Sequence, residues 1–490
     1  MAFDISEISH YADLVAADPL IQRTLWGPAI DMDARDSNPM KDFIGGEKSG
    51  KPIIEKKDLS AGGSQKAVFT SMAPIGGQGV RGQAELKSKT AKPVYGTWTV
   101  TVDMRRFAIS EDQLVELLRF NQGESRDSLL YDLCKQWWAM MERDDLQITF
   151  RDKALFATDQ PNVFRIGNRS SEAEIELTDT FDTGVIEDAV EQAIGIGAMP
   201  LNIEMDVAGG EVPEYVVFGP RRFLNPLEDE QKFRESVLHA QQRGGENFHW
   251  TGKYPKWKNT LIQRETIRFD AGNKRQGTPL LPIAFLGLAI PSGAATTITG
   301  GGAHNTAGTL TDAIMYDYFS CFRGSYWKTY STETAPTDNN TYYAMIYNVS
   351  GADRGKYEIV SYVAAGNNGN SLTVIRGVES AALTTAGRYT AVHPSGSWIV
   401  PCTRYGVPIG RALVLGAEAL ALAKGAIDAD RIEWQDDFKS TSSGKAHINS
   451  SGIQGIRGYA PKEDSIGRYP NFLMIEGALD YGWDLVDLTP

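Results

Sequence analysis

Apolar and polar residues alternate along Ala67–Met72 and again along Thr97–Met104, in sequence rich in β-branched and aromatic side chains. A period of two marks half-buried strands. Between them lies the glycine-rich stretch Gly76-Gly77-Gln78-Gly79-Val80-Arg81-Gly82. The simplest structure is a long two-stranded hairpin with a flexible tip, since glycine tolerates the positive φ angles a tip needs. The pattern then turns helical. Ser110-Glu111-Asp112-Gln113 fits a capping box, with a hydroxyl to cap and Gln at the third helical position. After a break at Gly123, Leu130, Leu133, Cys134, Trp137, Met141 and Leu146 keep near-helical spacing, widened by Trp138. A long helix is expected within 110–150, with Leu130, Leu133, Trp137 and Met141 packing along its buried face. Ahead of the hairpin, residues 1–45 read as an arm, with a short helical pattern (Ile5, Ile8, Ala12, Val15) and then Asp-, Pro- and Gly-rich sequence.

Helix and strand signals alternate over 180–290: a helix at Thr183–Gly195, a strand at Glu214–Phe218 closed by Gly219-Pro220, a helix at Phe233–Gln242 and a strand at Leu261–Phe269. Composition breaks at 291–400, where only 13 of 110 residues are charged against 23% of the whole chain. Strand signals recur there at Tyr342–Val349, Tyr357–Val363, Ser371–Ile375, Tyr389–Val392 and Trp398–Cys402, mostly separated by Gly- or Asn-rich turns. This predicts a small all-β domain inserted into the surrounding fold, removable without loss of a foldable core. Beyond it, Arg411–Lys424 reads as an Ala- and Leu-rich helix stopped by Gly425. Strands at Gly455–Tyr459 and Asn471–Glu476 would complete a sheet. The fold class expected is α+β.

A chain of 490 residues can bury a large core without covalent staples. Its three cysteines, Cys134, Cys321 and Cys402, are far apart and odd in number, which points to reduced thiols and not to a disulfide framework or zinc site. The apolar stretches Leu280–Ile290 and Ala412–Ala423 are short of the roughly 20 residues of a membrane span, and Met1–His10 does not resemble a signal peptide. No membrane partner is expected, and a cytoplasmic site of synthesis is. A net charge of −13 disfavours tight, sequence-independent nucleic-acid binding, though it suits a wall that encloses nucleic acid.

The chemistry-bearing motifs are weak. Gly77-x-Gly79-x-x-Gly82 matches a dinucleotide fingerprint, but no helix follows it before Pro93, so its context is wrong. The six histidines are scattered without ligand spacing, which suits ordinary core or surface histidines. The acidic pairs Asp144-Asp145, Glu228-Asp229-Glu230 and Asp436-Asp437 read as solvated charges, because neighbours on a helix do not face each other. No catalytic residue, cofactor or metal ligand is assigned, and no enzymatic activity is expected.

Charge placement says more. Residues 51–100 carry eight basic residues (Lys51, Lys56, Lys57, Lys66, Arg81, Lys87, Lys89, Lys92) against three acids, a net of +5. Residues 111–152 carry ten acids against five bases, a net of −5. Either these are two solvated faces or they are complementary surfaces, which mainly set orientation and rate.

Three blocks carry a resemblance. They are Ile53–Leu59 with Gly77–Gly82 and Trp98–Met104; Trp137-Trp138-Ala139 with Asp144-Asp145; and Glu214–Gly219 with Asn247–Gly252 and Leu261–Glu265. Together they resemble the N-four-like family of phage major capsid proteins, within the Hong Kong-97-like capsid fold. The resemblance implies an arm (1–45), an extended loop with flanking strands (46–109), a spine helix and peripheral domain (110–180), an axial domain (181–290), the β-rich insertion (291–400) and a return to the axial and peripheral domains (401–490). It implies pentamers and hexamers of the chain closing into an icosahedral shell around double-stranded DNA, with scaffolding and portal proteins as partners. Within the insertion, Tyr357–Val360, Gly369–Gly377 and His393–Gly396 resemble a small β motif of phage structural proteins. The extended loop, through Lys56, Gly76, Gly77, Gly79, Arg81, Gly82, Lys87, Lys89 and Lys92, is the expected contact to the next subunit. A tail or adhesin component would also be β-rich, but would lack the long helix and the mixed domain. A polysaccharide-acting enzyme would need converging carboxylates that the sequence does not display.

Overall fold

The computed structural model describes residues 40–46, 49–56, 66–72, 95–112, 142–155, 161–201, 214–241, 256–265, 277–282, 284–285, 295–299, 341–348, 356–367, 371–375, 393–394, 397–424, 431–435, 448–464 and 468–479. In chain order the first strands are β1 (Ile44–Gly46), β2 (Ile53–Lys56), β3 (Lys66–Met72), β4 (Tyr95–Thr101) and β5 (Asp103–Asp112). Helix α1 covers 142–155. Then come β6 (Val163–Arg165), α2 (Thr183–Ile196), β7 (Tyr215–Pro220), α3 (Arg221–Asp229), α4 (Gln231–Gln241), β8 (Lys256–Trp257) and β9 (Thr260–Glu265). A ribbon of β10 (Gly277–Thr278) and β11 (Leu281–Pro282) leads to β12 (Ala284–Phe285), β13 (Ala295–Thr299), β14 (Thr341–Tyr347), β15 (Tyr357–Asn367), β16 (Ser371–Ile375) and β17 (Trp398–Cys402). The chain ends its described course through β18 (Ile409–Leu415), β19 (Leu420–Lys424), β20 (Arg431–Gln435), β21 (Ile448–Pro461) and β22 (Phe472–Ala478).

The central sheet has the order β6-β22-β18-β7-β9-β8. Its middle strands are covered on both faces. Ala412 and Val414 of β18 enter one hydrophobic cluster with Val185, Ile186 and Ala189 of α2 and with Phe223 and Leu224 of α3. Leu413 and Leu415 enter another with Leu146, Phe150 and Ala154 of α1. This double burial overturns the helix expected over Arg411–Lys424. A strand buried on both faces shows no polar period and reads as a continuous apolar run, which periodicity alone cannot distinguish from a buried helix. The run is split into two strands at Gly416, where a Cβ would lie 2.5 Å from the Met199 carbonyl oxygen, and at Glu418, which sits at φ 54°.

A second sheet, β1-β2-β19-β21-β20, also pairs β21 with β5. Here the capping-box expectation fails. Ser110 is a strand residue opposite Ser450, and Asp112 is opposite Ile448. A side-chain cap contributes only about 1 kcal/mol, and ten residues of cross-strand pairing between β5 and β21 outweigh it. Of the helix expected within 110–150, the described residues hold only a helix at 142–155, which overlaps its end. Residues Leu130, Leu133, Trp137 and Met141 lie outside the described residues, as do positions 1–39 of the arm, the hairpin tip and the strand signal at Tyr389–Val392. The end of the arm is described, and its Met40 and Phe43 enter the cluster shared with α1.

The expected strands of the 291–400 region are found at β14 to β17. They form the sheet β12-β17-β14-β15-β16-β13, which does not stand apart from the rest of the chain. Met345, Tyr357, Ile359, Val400 and Cys402 share one cluster with the α2 and α3 side of the central sheet, and β12 enters from outside the segment.

Helix α2 shows how closely local rules hold where one face is exposed. Asp182 caps it by accepting from Val185 N at 2.8 Å. Gly197, at φ 100°, ends it in the left-handed conformation, with Ala198 N donating to Ala193 O. Gly195 in its last turn faces open space. Gly195→Ala should therefore stabilise the protein by about 0.5–1 kcal/mol, through a smaller loss of backbone entropy. Denaturant midpoints of the two proteins test this.

Candidate assembly interface

Strands β3 and β4 pair antiparallel from Lys66 opposite Thr101 to Met72 opposite Tyr95. Alternation turns Ala67, Phe69, Trp98 and Val100 down onto Ile54, Ala421 and Ala423 of the second sheet. Phe69 and Trp98, directly opposite each other, stack at 5.2 Å between ring centroids. The outer face carries Lys66, Thr70, Thr97 and Thr99, with Val68 half exposed. The hairpin base is thus a second layer on its own subunit, and the chain between Met72 and Tyr95 continues from its far end.

That layer explains the small residues beneath it. In β19, Leu420 and Leu422 face the core shared with α1, whereas Ala421 and Ala423 face the hairpin. Both sets are apolar, so their period of two is one of size and not of polarity. The Leu/Ala alternation was the one available signal for this contact.

Of the expected loop contacts, the described residues include Lys56 alone. Its Nζ donates to the Val68 carbonyl at 3.4 Å and sits 5.3 Å from the centre of the Phe69 ring, so it secures the hairpin of its own subunit. Gly76, Gly77, Gly79, Arg81, Gly82, Lys87, Lys89 and Lys92 lie outside the described residues.

The acidic half of the charge split is largely internal where it is described. Glu142 pairs with Arg457 of β21 and stands 3.9 Å from Lys424 of β19, which also meets Glu55 of β2 at 2.7 Å. Arg457 and Lys424 are cross-strand neighbours whose repulsion these two acids offset. Asp144 and Asp145 are each only 2% exposed, which overturns their reading as solvated charges. Arg143 Nε donates to Asp144 at 2.8 Å and meets Glu265 of β9 at 3.2 Å. Gln147 donates to the same Glu265 at 2.8 Å. Asp152 pairs with Arg151 at 2.7 Å, yet burial holds its carboxyl above the usual carboxylate range. Glu142 thus ties α1 to β21, and Arg143 and Gln147 tie it to β9 through Glu265.

A charge ladder crosses the central sheet on the α1 face. Arg411, Glu476 and Arg165 are register neighbours on β18, β22 and β6. Arg411 Nε donates to Glu476 at 2.9 Å and Arg165 Nε donates to the other carboxylate oxygen at 3.1 Å. Arg411 and Glu476 are fully buried. A second buried polar group lies in the β-rich sheet. The ring nitrogens of His393 lie 2.7 Å from Asn348 Oδ1 and 2.7 Å from Glu358 Oε2, and Ser397 donates to the same Asn348 oxygen at 3.0 Å. His393 is therefore a core histidine with no access for a substrate. Burial pushes the Cys402 thiol well above its ordinary value. Among the described residues no group of three or more His, Cys, Asp or Glu is placed to hold a metal ion. No described helix is long and apolar enough to cross a membrane.

No family model and no curated relative matches the sequence. Comparison of the fold with solved structures is informative. A chain from the capsid of Ralstonia phage GP4 superposes with a TM-score of 0.51 at 14% identity, over 91% of this chain and 92% of that one. The chain has an α+β phage-capsid fold. The cyanophage Pam1 capsid asymmetric unit matches at TM-score 0.49 and 10% identity, over 91% of this chain and 93% of that one. The capsid of Helicobacter pylori bacteriophage KHP30 matches at 0.46 and 12%, over 90% and 91%.

Proposed function

We propose that this chain is the major capsid protein of a tailed bacteriophage, forming pentamers and hexamers that close into an icosahedral shell around double-stranded DNA. The observation that carries the reading is the likeness to the GP4 capsid chain across nine-tenths of both chains, so that no large part is left over for another task. The finer reading is the Hong Kong-97-like fold of the N-four-like family, with the arm, extended loop, spine helix, peripheral and axial domains and β-rich insertion at the boundaries given above. The partners are further copies of the chain, a scaffolding protein and a portal. Assembly takes place in the bacterial host cytoplasm, and the role is structural, not enzymatic. A net charge of −13 keeps the wall from gripping the DNA it encloses. The insertion stands on the outer surface, where it either strengthens contacts between capsomers or attaches the particle to a host surface. Each contact between copies is modest, and closure multiplies them.

The loop tip reaches the next subunit. Its basic residues, Lys87, Lys89 and Lys92 among them, are matched to the acidic 111–152 region of a neighbour, of which Glu142, Asp144 and Asp145 are used internally. Purified protein viewed by negative stain should show closed shells. The combined variant Lys87→Glu, Lys89→Glu, Lys92→Glu should give soluble, folded subunits and no shells. Fibres or monomers from the unaltered protein would sink the capsid reading. Normal shells from the variant would sink only its electrostatic part.

A further inference from the structure

One continuous run of chain, 95–112, belongs to two sheets. Up to Thr101 it pairs with β3 in the hairpin, and from Asp103 it pairs with β21. Val102 alone separates the two. The transfer happens at one point on β21. Asp103 is opposite Arg457, and one residue further on the chain has left the sheet edge and crosses over Gly458. A Cβ on Gly458 would overlap the Thr101 carbonyl oxygen, and would stand 2.9 Å from Val102 Cγ1 and 3.0 Å from the Thr101 carbonyl carbon. The first clash is with backbone, so no side-chain rotation relieves it. Gly458 needs no special conformation of its own. It is a strand residue opposite Ala423, outside the set of glycines with positive φ. What the position requires is the absence of a side chain under a crossing strand. Around the crossing, Ala421, Ala423 and Ala460 keep the floor low, and Val102 packs on it.

We propose that Gly458 is the positioning residue of the extended hairpin: by admitting the crossing strand at backbone contact, it fixes the angle at which the hairpin leaves the body, and so where its tip meets the next subunit. The inference rests on the capsid reading for the words "next subunit", but the crossing itself does not. A methyl group at 458 must lift Thr101, and a lift at the root of a hairpin is magnified along its length. The three atoms nearest to a Cβ at 458 belong to Thr101 and Val102 and not to the central sheet, α2 or α3, so the stability of those elements should hold.

The test is Gly458→Ala in the full chain, with Gly46→Ala as the control, since a Cβ on Gly46 meets nothing within 4 Å. Two readouts are taken. Hydrogen exchange of residues 66–72 and 95–101 should quicken by roughly tenfold or more in Gly458→Ala, while 409–415 and 472–478 stay as protected as in the parent. Closed shells should be lost or altered in diameter, while Gly46→Ala gives the parent's shells. Parent-like exchange in the hairpin together with parent-like shells would overturn the inference. If the parent forms no shells, the capsid reading fails, and the exchange pattern still decides the crossing. If Gly458→Ala does not fold, Val102→Gly is added to let the crossing chain bow outward. Recovery of a folded body with a loosened hairpin supports the inference, and continued failure to fold overturns it.

Discussion

Glu476→Ala should cost the protein roughly 3–5 kcal/mol, one of the largest losses expected from a single substitution. The carboxylate is fully buried and each of its oxygens holds a different guanidinium, Arg411 on one side and Arg165 on the other. Removing it leaves two like charges on the strands that flank β22, in a sheet that is closed on both faces. Arg411 has no route to water, and the acids still near it are Glu172, 3.7 Å away, and Asp152. Glu476→Gln keeps an acceptor and the side-chain volume, so it should lose less. Replacing the fully buried pair together, Arg411→Met with Glu476→Leu, should recover much of the loss, because a desolvated ion pair roughly breaks even with apolar packing of similar volume. Denaturant unfolding of soluble subunits followed by tryptophan fluorescence measures all three. A Glu476→Ala protein within about 1 kcal/mol of the parent would show that the ladder is not the buried charge network its geometry indicates.

What could be read from the sequence follows from which faces meet water. The strands at 66–72 and 95–101 were legible because their outer residues are polar or β-branched and their inner ones are Ala, Phe, Trp and Val. Helix α2 was legible because its cap and exposed face are local features. Strand β18 was not, because both of its faces are core. Strand β19 was not, because its alternation is between leucine and alanine. The hydroxyl and glutamine spacing at 110–113 was a real local pattern that a long-range ladder overrode. Asp144 and Asp145 looked like surface charges because the contact that draws their helix inward, Arg143 shared between Asp144 and Glu265, reaches a strand far away in the chain. The polar group around His393 joins residues 348, 358, 393 and 397, an association no spacing rule contains. The hairpin base was legible for the same reason as its strands, whereas its floor of small residues emerges only once β19 and β21 are seen to be neighbours.

Excising residues 291–400 and joining the ends with a short linker should yield aggregated or molten protein, contrary to the behaviour of an independent insertion. Composition sets this segment apart, but packing does not. Met345, Tyr357, Ile359 and Val400 belong to the cluster that also holds Val217, Ala412, Val414, Leu473 and Ile475 of the central sheet. Full burial of each such side chain contributes about 1.5–3 kcal/mol, so losing four approaches the 5–15 kcal/mol that holds a typical domain together. Strand β12 would also lose its partner, since Ala284 and Phe285 pair with Ile399 and Trp398. Two outcomes separate the possibilities. Dye binding and loss of near-ultraviolet circular dichroism in the excised protein would mean that the β-rich sheet is one wall of the central core. A soluble, cooperatively unfolding product with residues 409–415 and 472–478 as slow to exchange as in the intact chain would mean that the shared cluster contributes little. The segment would then be separable from the fold as a unit.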